Sequence, residues 1–190
     1  MARRGAPAAA AALDAAGWKA GADGVRAKDG RKLALRLLYY TTRGAGVQAA
    51  AEYLAAAWKK AGVDVTLNGV IDTKMSESLS TAQDWDVVWL PIGVTLPSQL
   101  VGFLSGPGAP KGGNFAHLAN ARYDKLVAEA ALKPGAEGCK LWLEAESALF
   151  ENADLVPVVE NTVLIAARNA TFDMPADLFS PTSIRMTGAS

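Results

Sequence analysis

The stretch Leu33-Ala-Leu-Arg-Leu-Leu-Tyr-Tyr40 has a strand pattern that is largely apolar on both faces. Its odd-numbered residues are all apolar, and its even-numbered residues include Leu38 and Tyr40. A strand of this kind is typical of a sheet that is covered on both sides. Residues 33–40 therefore predict a buried strand.

The segments that follow alternate between helical and strand periodicity. Apolar residues recur at helical spacing over 47–61, Gly62 ends that helix, and residues 63–67 are a second strand. Asp72 is expected to N-cap a short helix. Residues 86–90 are a third strand, which its nearly continuous apolar character predicts to be central. The order β-α-β-α-β predicts an α/β fold with a parallel sheet flanked by helices.

The segment before this unit predicts a short helix and a hairpin. Residues 7–16 are Ala-rich and end at Gly17, a helix C-cap residue. Asp23-Gly24 and Asp29-Gly30 both favour tight turns. The Ala run is too short and too weakly hydrophobic for an export signal, and no apolar run is long enough for a transmembrane helix. We therefore expect either a cytoplasmic protein or a domain of a longer exported one.

The second half is predicted to be more irregular. Residues 91–119 are rich in Gly and Pro and indicate a long loop. Asn120 is expected to cap a helix, and Pro134-Gly135 separates it from the next helix. Two strands are predicted over 155–159 and 162–166. The tail from residue 171 has little periodicity.

Charge and rare residues limit the possible functions. Lys and Arg number 19, as do Asp and Glu, so the net charge is zero and nothing favours a nucleic-acid partner. One His and one Cys are too few for a His/Cys metal site. His117 has no visible triad partner, and the glycines at 44 and 46 lack the rest of a phosphate-binding fingerprint. We predict no catalytic residue, no metal and no cofactor.

Ligand contacts in open α/β sheets come from the loops at the carboxyl ends of the strands. The first and third predicted strands and the long loop each contribute to this edge. The competing interpretation is that the aromatic residues are ordinary core. The candidate binding residues are Tyr39, Tyr40, Thr41, Thr42, Trp89, Pro91, Gly93, Thr95 and Asn114.

Several segments, taken in order, resemble one protein family. The sequence over 11–18 is similar to its "LLDEAGW" helix end, and that over 23–33 to its "DGVREKDGKKL" hairpin. Residues 84–87, 114–126 and 142–159 resemble its "GDFDV", "NYSGYSNPEFDALL" and "YAEAQRILAEDAPVIPLY" segments. The chain therefore resembles the second lobe of an extracellular solute-binding protein of family 5, the peptide/nickel type that serves ABC importers.

The resemblance implies a type II periplasmic-binding-protein-like lobe over residues 1–170, with 171–190 as a tail that returns to a first lobe. It implies a small solute, such as a peptide or modified peptide, and an ABC permease as partners. It also implies an extracytoplasmic location, anchored as a lipoprotein in the longer parent. The rival hypotheses are a small α/β enzyme using the loops at 41–46 and 91–97, and a ligand-sensing module of a cytoplasmic regulator.

The resemblance also implies a ligand class. Where peptide-binding members carry an Asp that pairs with the ligand's amino group, this sequence has Thr95. Where some members carry an Arg in the central strand, it has Trp89. Because Thr95 cannot neutralise an ammonium group, we expect a ligand without a free α-amino group. Arg43 remains a cation that could supply charge at this edge.

Overall fold

The computed structural model describes residues 5–159, 165–175 and 179–187. The chain divides into two compact units, Met1–Ile92 with Gly102–Leu118, and Gly93–Val101 with Ala119–Ser190. Within the described residues, no helix has both the length and the apolar character needed to cross a membrane.

The first unit opens with a helix and a small antiparallel sheet. Its elements are α1 (Ala6–Ala15), β1 (Lys19–Ala20), β2 (Arg26–Lys28) and β3 (Arg31–Lys32), with the strands in the order β1-β2-β3. Asp29 and Gly30 both have positive φ and form the two-residue turn between β2 and β3. Gly17 has φ +89 after α1. The predicted helix end and hairpin are confirmed.

A parallel sheet with flanking helices makes up the rest of this unit. Its elements are β4 (Ala34–Tyr40), α2 (Ala45–Lys60), β5 (Asp64–Val70), α3 (Asp72–Glu77), a π-helical turn (Ser78–Ala82) and β6 (Val87–Trp89). The strand order is β5-β4-β6, and both pairings are parallel. The predicted β-α-β-α-β order is confirmed.

Strand β4 is buried from both sides. Leu37 and Tyr39 pack with Ala51 of α2 in one core cluster. Leu38 packs with Met75 of α3 in a second cluster. Successive strand residues point to opposite faces, so one strand contributes to two cores. This explains why the sequence of β4 is apolar on both faces.

The prediction that the third strand is central is wrong for the sheet formed by the described residues, because β4 lies between β5 and β6 there. Strand β6 nevertheless packs on both faces, with Val87 and Trp89 against one cluster and Val88 against the other. A continuous apolar run therefore indicates that both faces of a strand are covered. It does not indicate that both edges are paired.

The second unit contains a helical hairpin and a short antiparallel pair. Its elements include a 3-10 turn (Pro97–Leu100), α5 (Ala121–Ala130), α6 (Gly135–Glu151), a 3-10 turn (Pro181–Ser183), β7 (Ala170–Thr171) and β8 (Arg185–Met186), while α4 (Val101–Leu104) crosses the unit boundary. The Asn120 side chain accepts a hydrogen bond from the Tyr123 N–H at 3.0 Å, which confirms the predicted N-cap.

The predicted strand at 155–159 is wrong. These residues have no regular secondary structure, and Val156 and Val159 are exposed. A strand forms only where another strand satisfies its backbone groups, and among the described residues this segment pairs with none. Of the other predicted strand, residues 162–164 lie outside the described residues, and residues 165–166 are not in a strand.

One buried cation joins three parts of the first unit. Arg26 is only 7% exposed. Its Nε donates to the Ala61 carbonyl at 2.8 Å, and its Nη1 donates to the Trp18 carbonyl at 2.8 Å and to Asp14 Oδ1 at 2.6 Å. A Cβ on Gly62 would lie 2.7 Å from Arg26 Cγ, so this turn needs glycine for space as well as for its φ of +91.

Arg26→Ala is expected to lower the free energy of unfolding by about 2–4 kcal/mol, because it leaves buried carbonyls without a donor. The exposed Arg31 on β3 provides the control, and Arg31→Ala is expected to cost less than about 0.5 kcal/mol. Urea denaturation followed by circular dichroism measures both values. Equal losses would contradict this role for Arg26.

A second prediction concerns acid stability. The Asp86 carboxylate accepts hydrogen bonds from the Nε of Arg36 at 3.0 Å and from the backbone N–H of Arg36 at 2.7 Å. The Arg36 hydrogen bond holds the pKa of Asp86 below its ordinary value of 3.8. The ionised carboxylate is therefore favoured in the folded state, so this stabilisation is full above the unfolded pKa and is lost as pH falls through the folded pKa.

Asp86→Asn is expected to lower stability at neutral pH and to flatten its decline below about pH 4, since the variant has no carboxyl to protonate there. Asp64→Asn, at an exposed position of β5, is the matched control. Denaturation across a pH series tests this. If the free energy of unfolding of Asp86→Asn falls with decreasing pH as steeply as that of the wild type, the prediction is refuted.

Candidate functional site

The three parallel strands end at one edge of the sheet. Strand β4 ends at Tyr40, β5 at Val70 and β6 at Trp89. The Thr41 N–H donates to the Val70 carbonyl at 2.9 Å, and the Thr41 hydroxyl donates to the same oxygen at 3.2 Å. The loop after β4 is thereby tied to the end of β5. This edge, called here the carboxyl edge, is the candidate site.

The aromatic residues of the carboxyl edge lie on both faces of the sheet. Tyr39 and Trp89 pair in register and pack in the α2-side cluster. Tyr40 packs in the α3-side cluster. Tyr39 is only 6% exposed and is a core residue, whereas Tyr40 and Trp89 are half-buried. The edge therefore presents Trp89 on one face and Tyr40 on the other.

Gly69 of β5 makes room for the first of these side chains. A Cβ at Gly69 would lie 2.7 Å from both Cζ and Oη of Tyr39, and 2.9 Å from Cγ2 of Thr41. The phenol ring thus lies across the bare backbone of β5. An isolated glycine inside a strand often marks a close approach of another group to the backbone, so the contact at Gly69 could have been predicted from the sequence.

The charged side chains described at this edge are Arg43, in the loop after β4, and Asp72, at the start of α3. The Thr42 hydroxyl donates to Asp72 Oδ1 at 2.5 Å. Arg43 Nη2 lies 3.8 Å from Asp72 Oδ2, and its guanidinium carbon lies 4.9 Å above the centre of the Tyr40 ring. A cation in this position is attracted by the negative face of the ring. The side chains of Arg43 and Asp72 are about half exposed.

Asp72 was expected to be the N-cap of α3, and this is wrong. Ile71 occupies the N-cap position without a side-chain cap, and Asp72 is the first helical residue. Its carboxylate contacts Thr42 and Arg43 of the neighbouring loop instead. The contact links residues that are far apart in sequence, so local spacing could not reveal it.

The remaining candidates have other roles in the structure. Pro91 is exposed just beyond β6. Gly93 and Thr95 belong to the second unit. There the Thr95 backbone N–H and hydroxyl both donate to Gln99 Oε1, at 2.9 and 3.3 Å, and so close the turn that precedes α4.

Asn114 holds its own loop together. It is 1% exposed, and its Nδ2 donates to the carbonyls of Gly106 at 3.1 Å and Leu118 at 2.9 Å. Its Oδ1 accepts from the Leu118 N–H at 2.9 Å. These bonds occupy both ends of the amide. A buried side chain in this position stabilises a Gly-rich loop and offers little to a ligand.

The chemistry available to a catalyst is sparse. His117 Nε2 is hydrogen-bonded to Gln83 Oε1 at 2.8 Å, and its ring packs against Gly108. The described residues contain no group of three or more His, Cys, Asp or Glu that could hold a metal ion.

Two open clefts are lined by residues other than those of the carboxyl edge. One of about 440 Å³ is lined by Trp58 and by alanines of α1 and of the α2 region, and one of about 380 Å³ is lined by residues that include Asn120 and Arg122. Neither contains a candidate binding residue. We place the site at the carboxyl edge because strand-end loops, and not cleft volume, position ligand groups in this fold class.

Known proteins match this chain in sequence and in fold. Residues 4–112, more than half of the chain, match the sequence model of bacterial extracellular solute-binding proteins, family 5 Middle. The oligopeptide-binding protein AppA from Bacillus subtilis, in complex with a nonapeptide, is 27% identical with a TM-score of 0.64, over 78% of this chain and 29% of its own. The murein tripeptide binding protein MppA of Escherichia coli is 29% identical with a TM-score of 0.61, over 78% and 27%.

NikA from Brucella suis, in complex with Fe(III)-EDTA, is 25% identical with a TM-score of 0.62, over 76% of this chain and 30% of its own. The chain thus spans less than a third of the length of these relatives. The matches confirm the family resemblance and the α/β fold of the type II periplasmic-binding-protein class. They favour ligand binding over catalysis.

The role of Gly69 can be tested by a double-mutant cycle. Gly69→Ala is expected to cost about 1–3 kcal/mol of stability, because a methyl group there would overlap Tyr39. In a Tyr39→Leu background part of that cost should disappear, since the ring is gone while Thr41 Cγ2 stays at 2.9 Å. Gly102→Ala is the control, because its Cβ would meet no atom within 4 Å. Equal costs of Gly69→Ala in both backgrounds would contradict the contact.

Proposed function

This chain belongs to the bacterial extracellular solute-binding proteins of family 5, and we propose that it is part of the solute-binding component of an ABC importer. It would capture a peptide-like or other small solute between two lobes and deliver it to a membrane permease by lobe closure. The observation that carries the proposal is the carboxyl edge, where Arg43, Tyr40 and Trp89 are exposed or half-buried beside strand-end loops.

In this proposal residues 1–170 are the second lobe and 171–190 the tail that returns to the first. The parent protein is extracytoplasmic and held at the membrane as a lipoprotein. Support comes from the family match and from relatives named for oligopeptide and murein tripeptide binding. Because the chain spans less than a third of those relatives, it would supply only part of the contacts. Weak binding by the chain alone follows.

The proposed contacts come from the loops of the first unit. The half-buried rings of Tyr40 and Trp89 offer apolar surface that still reaches solvent. The loop residues Thr41, Thr42 and Pro91 border it. Arg43, stacked on Tyr40, adds a planar cation that suits a carboxylate group of the solute.

The proposed solute lacks a free α-amino group. An ammonium group buried between two lobes needs a carboxylate partner, and an unpaired one costs several kcal/mol, roughly. At the position where the family resemblance implies an Asp, Thr95 offers only a hydroxyl, which already donates to Gln99. The carboxylate nearest to Arg43, that of Asp72, is already engaged by Thr42 and Arg43. An N-blocked peptide or an uncharged solute therefore suits this edge better than a free peptide.

The test is a competition assay on the full-length protein that contains this chain. N-acetylated tri-alanine is expected to bind at least about tenfold more tightly than free tri-alanine, since about 1.4 kcal/mol of lost pairing gives that factor. The 190-residue chain, measured by calorimetry, should bind neither at submicromolar strength. Free peptide that binds as well as its acetylated form would refute the ligand class. Turnover of either peptide would refute the binding role.

A further inference from the structure

Asp72 contacts two residues of the loop after β4, and its contact with Thr42 is closer than its contact with Arg43. Asp72 Oδ1 accepts a short hydrogen bond from the Thr42 hydroxyl, at 2.5 Å. Asp72 Oδ2 lies 3.8 Å from Arg43 Nη2, which is too far for a hydrogen bond. Thr42 therefore fixes the carboxylate, while Arg43 is held mainly by charge.

Arg43 keeps its hydrogen-bonding capacity. Its guanidinium stacks on the Tyr40 ring and makes no hydrogen bond to another described residue. Arginine has five N–H donors in a planar fork, which can bind a carboxylate through two parallel hydrogen bonds. A solute carboxylate would therefore gain hydrogen bonds that Asp72 does not make.

We infer that Asp72 is a specificity-determining residue that competes with the anionic group of a solute for Arg43. This inference rests on the proposed function, because it concerns the same binding edge. In the structure the Asp72 carboxylate is the negative charge that balances Arg43. An incoming carboxylate must displace it or lie beside it. A neutral solute meets no such penalty.

The free-energy penalty for binding an anionic solute is set by the charge on Asp72. Thr42 and the start of α3 hold that carboxylate near Arg43, so it stays close when a second anion arrives. Two like charges about 4 Å apart in water repel by about 1 kcal/mol, which corresponds to about a fivefold change in affinity. Asp72 thus lowers the affinity for anionic solutes and leaves that for neutral ones unchanged.

Asp72→Asn separates the charge from the structural role. The Asn oxygen still accepts the Thr42 hydrogen bond, so the loop keeps its anchor while the negative charge is removed. Glu77→Gln is the matched control, because it removes one negative charge from the same helix at a residue paired with Lys74. Arg43→Gln removes the proposed anchor.

The probes are N-acetyl-tri-alanine and its C-terminal amide, titrated into the 190-residue chain and followed by NMR shifts of the residue 41–44 amides. Asp72→Asn is expected to raise the affinity for the free acid about fivefold and to leave that for the amide unchanged. Glu77→Gln should change neither. In an Arg43→Gln background, Asp72→Asn should have no effect on the acid-to-amide ratio.

The outcomes separate the inference from the function on which it rests. If Arg43→Gln lowers the ratio of the affinity for the acid to that for the amide, and Asp72→Asn leaves it unchanged, the role of Asp72 is overturned. Arg43 then remains a contact. An equal gain for acid and amide in Asp72→Asn also overturns it. The absence of any response to either probe, in wild type and in Asp72→Asn, overturns the inference and the proposed binding edge together.

Discussion

Burial of β4 on both faces is the constraint on which the first unit depends. Leu37 and Leu38 are neighbours in sequence, are almost completely buried, and belong to different core clusters. A slip of one residue would exchange the two cores, so the register of β4 against β5 and β6 is strongly specified. The Arg36–Asp86 contact acts in the same direction, because it ties β4 to the start of β6. The strand ends, and every loop that follows them, are placed by this register.

The same constraint divides the carboxyl edge into a rigid base and an exposed rim. Tyr39 belongs to the base, since its ring is buried over the backbone of Gly69. Thr42 and Arg43 belong to the rim, where side chains contact Asp72 and Tyr40 but remain exposed. Groups that the core requires are unavailable to a ligand. The residues best suited to binding are therefore those whose contacts the fold can exchange.

Hydrophobic periodicity predicted the order of elements because it records which face of each element is buried. The capping preferences of single residues predicted the helix end at Gly17 and the N-cap at Asn120. Periodicity could not predict that β6 pairs on one side only among the described residues, because the pairing of strand edges does not affect which faces are apolar. The strand prediction for residues 155–159 was wrong for the same reason, since their apolar pattern specifies no partner strand.

The sequence predicted that the loop after β4 lies at the carboxyl edge, but not what surrounds each candidate side chain. The strand-end rule predicted Thr41 and Thr42, which lie in that loop, whereas burial assigns Tyr39 to the core and internal hydrogen bonds assign Asn114 to its own loop. The pairing of Arg43 with Asp72 follows from β4 lying next to β5, which is a tertiary fact.

Arg26 and Arg43, both in the first unit, differ in how easily another group could replace their contacts. Arg26 is buried, and its hydrogen bonds hold fixed backbone carbonyls, so its loss would leave unsatisfied groups in the interior. Arg43 is half exposed, and its ion pair at 3.8 Å contributes little to stability in water. A ligand can replace a weak surface contact at small cost and cannot replace a buried one. The cation with the weak, exchangeable contact lies at the carboxyl edge, and the cation with the fixed contacts lies in the interior.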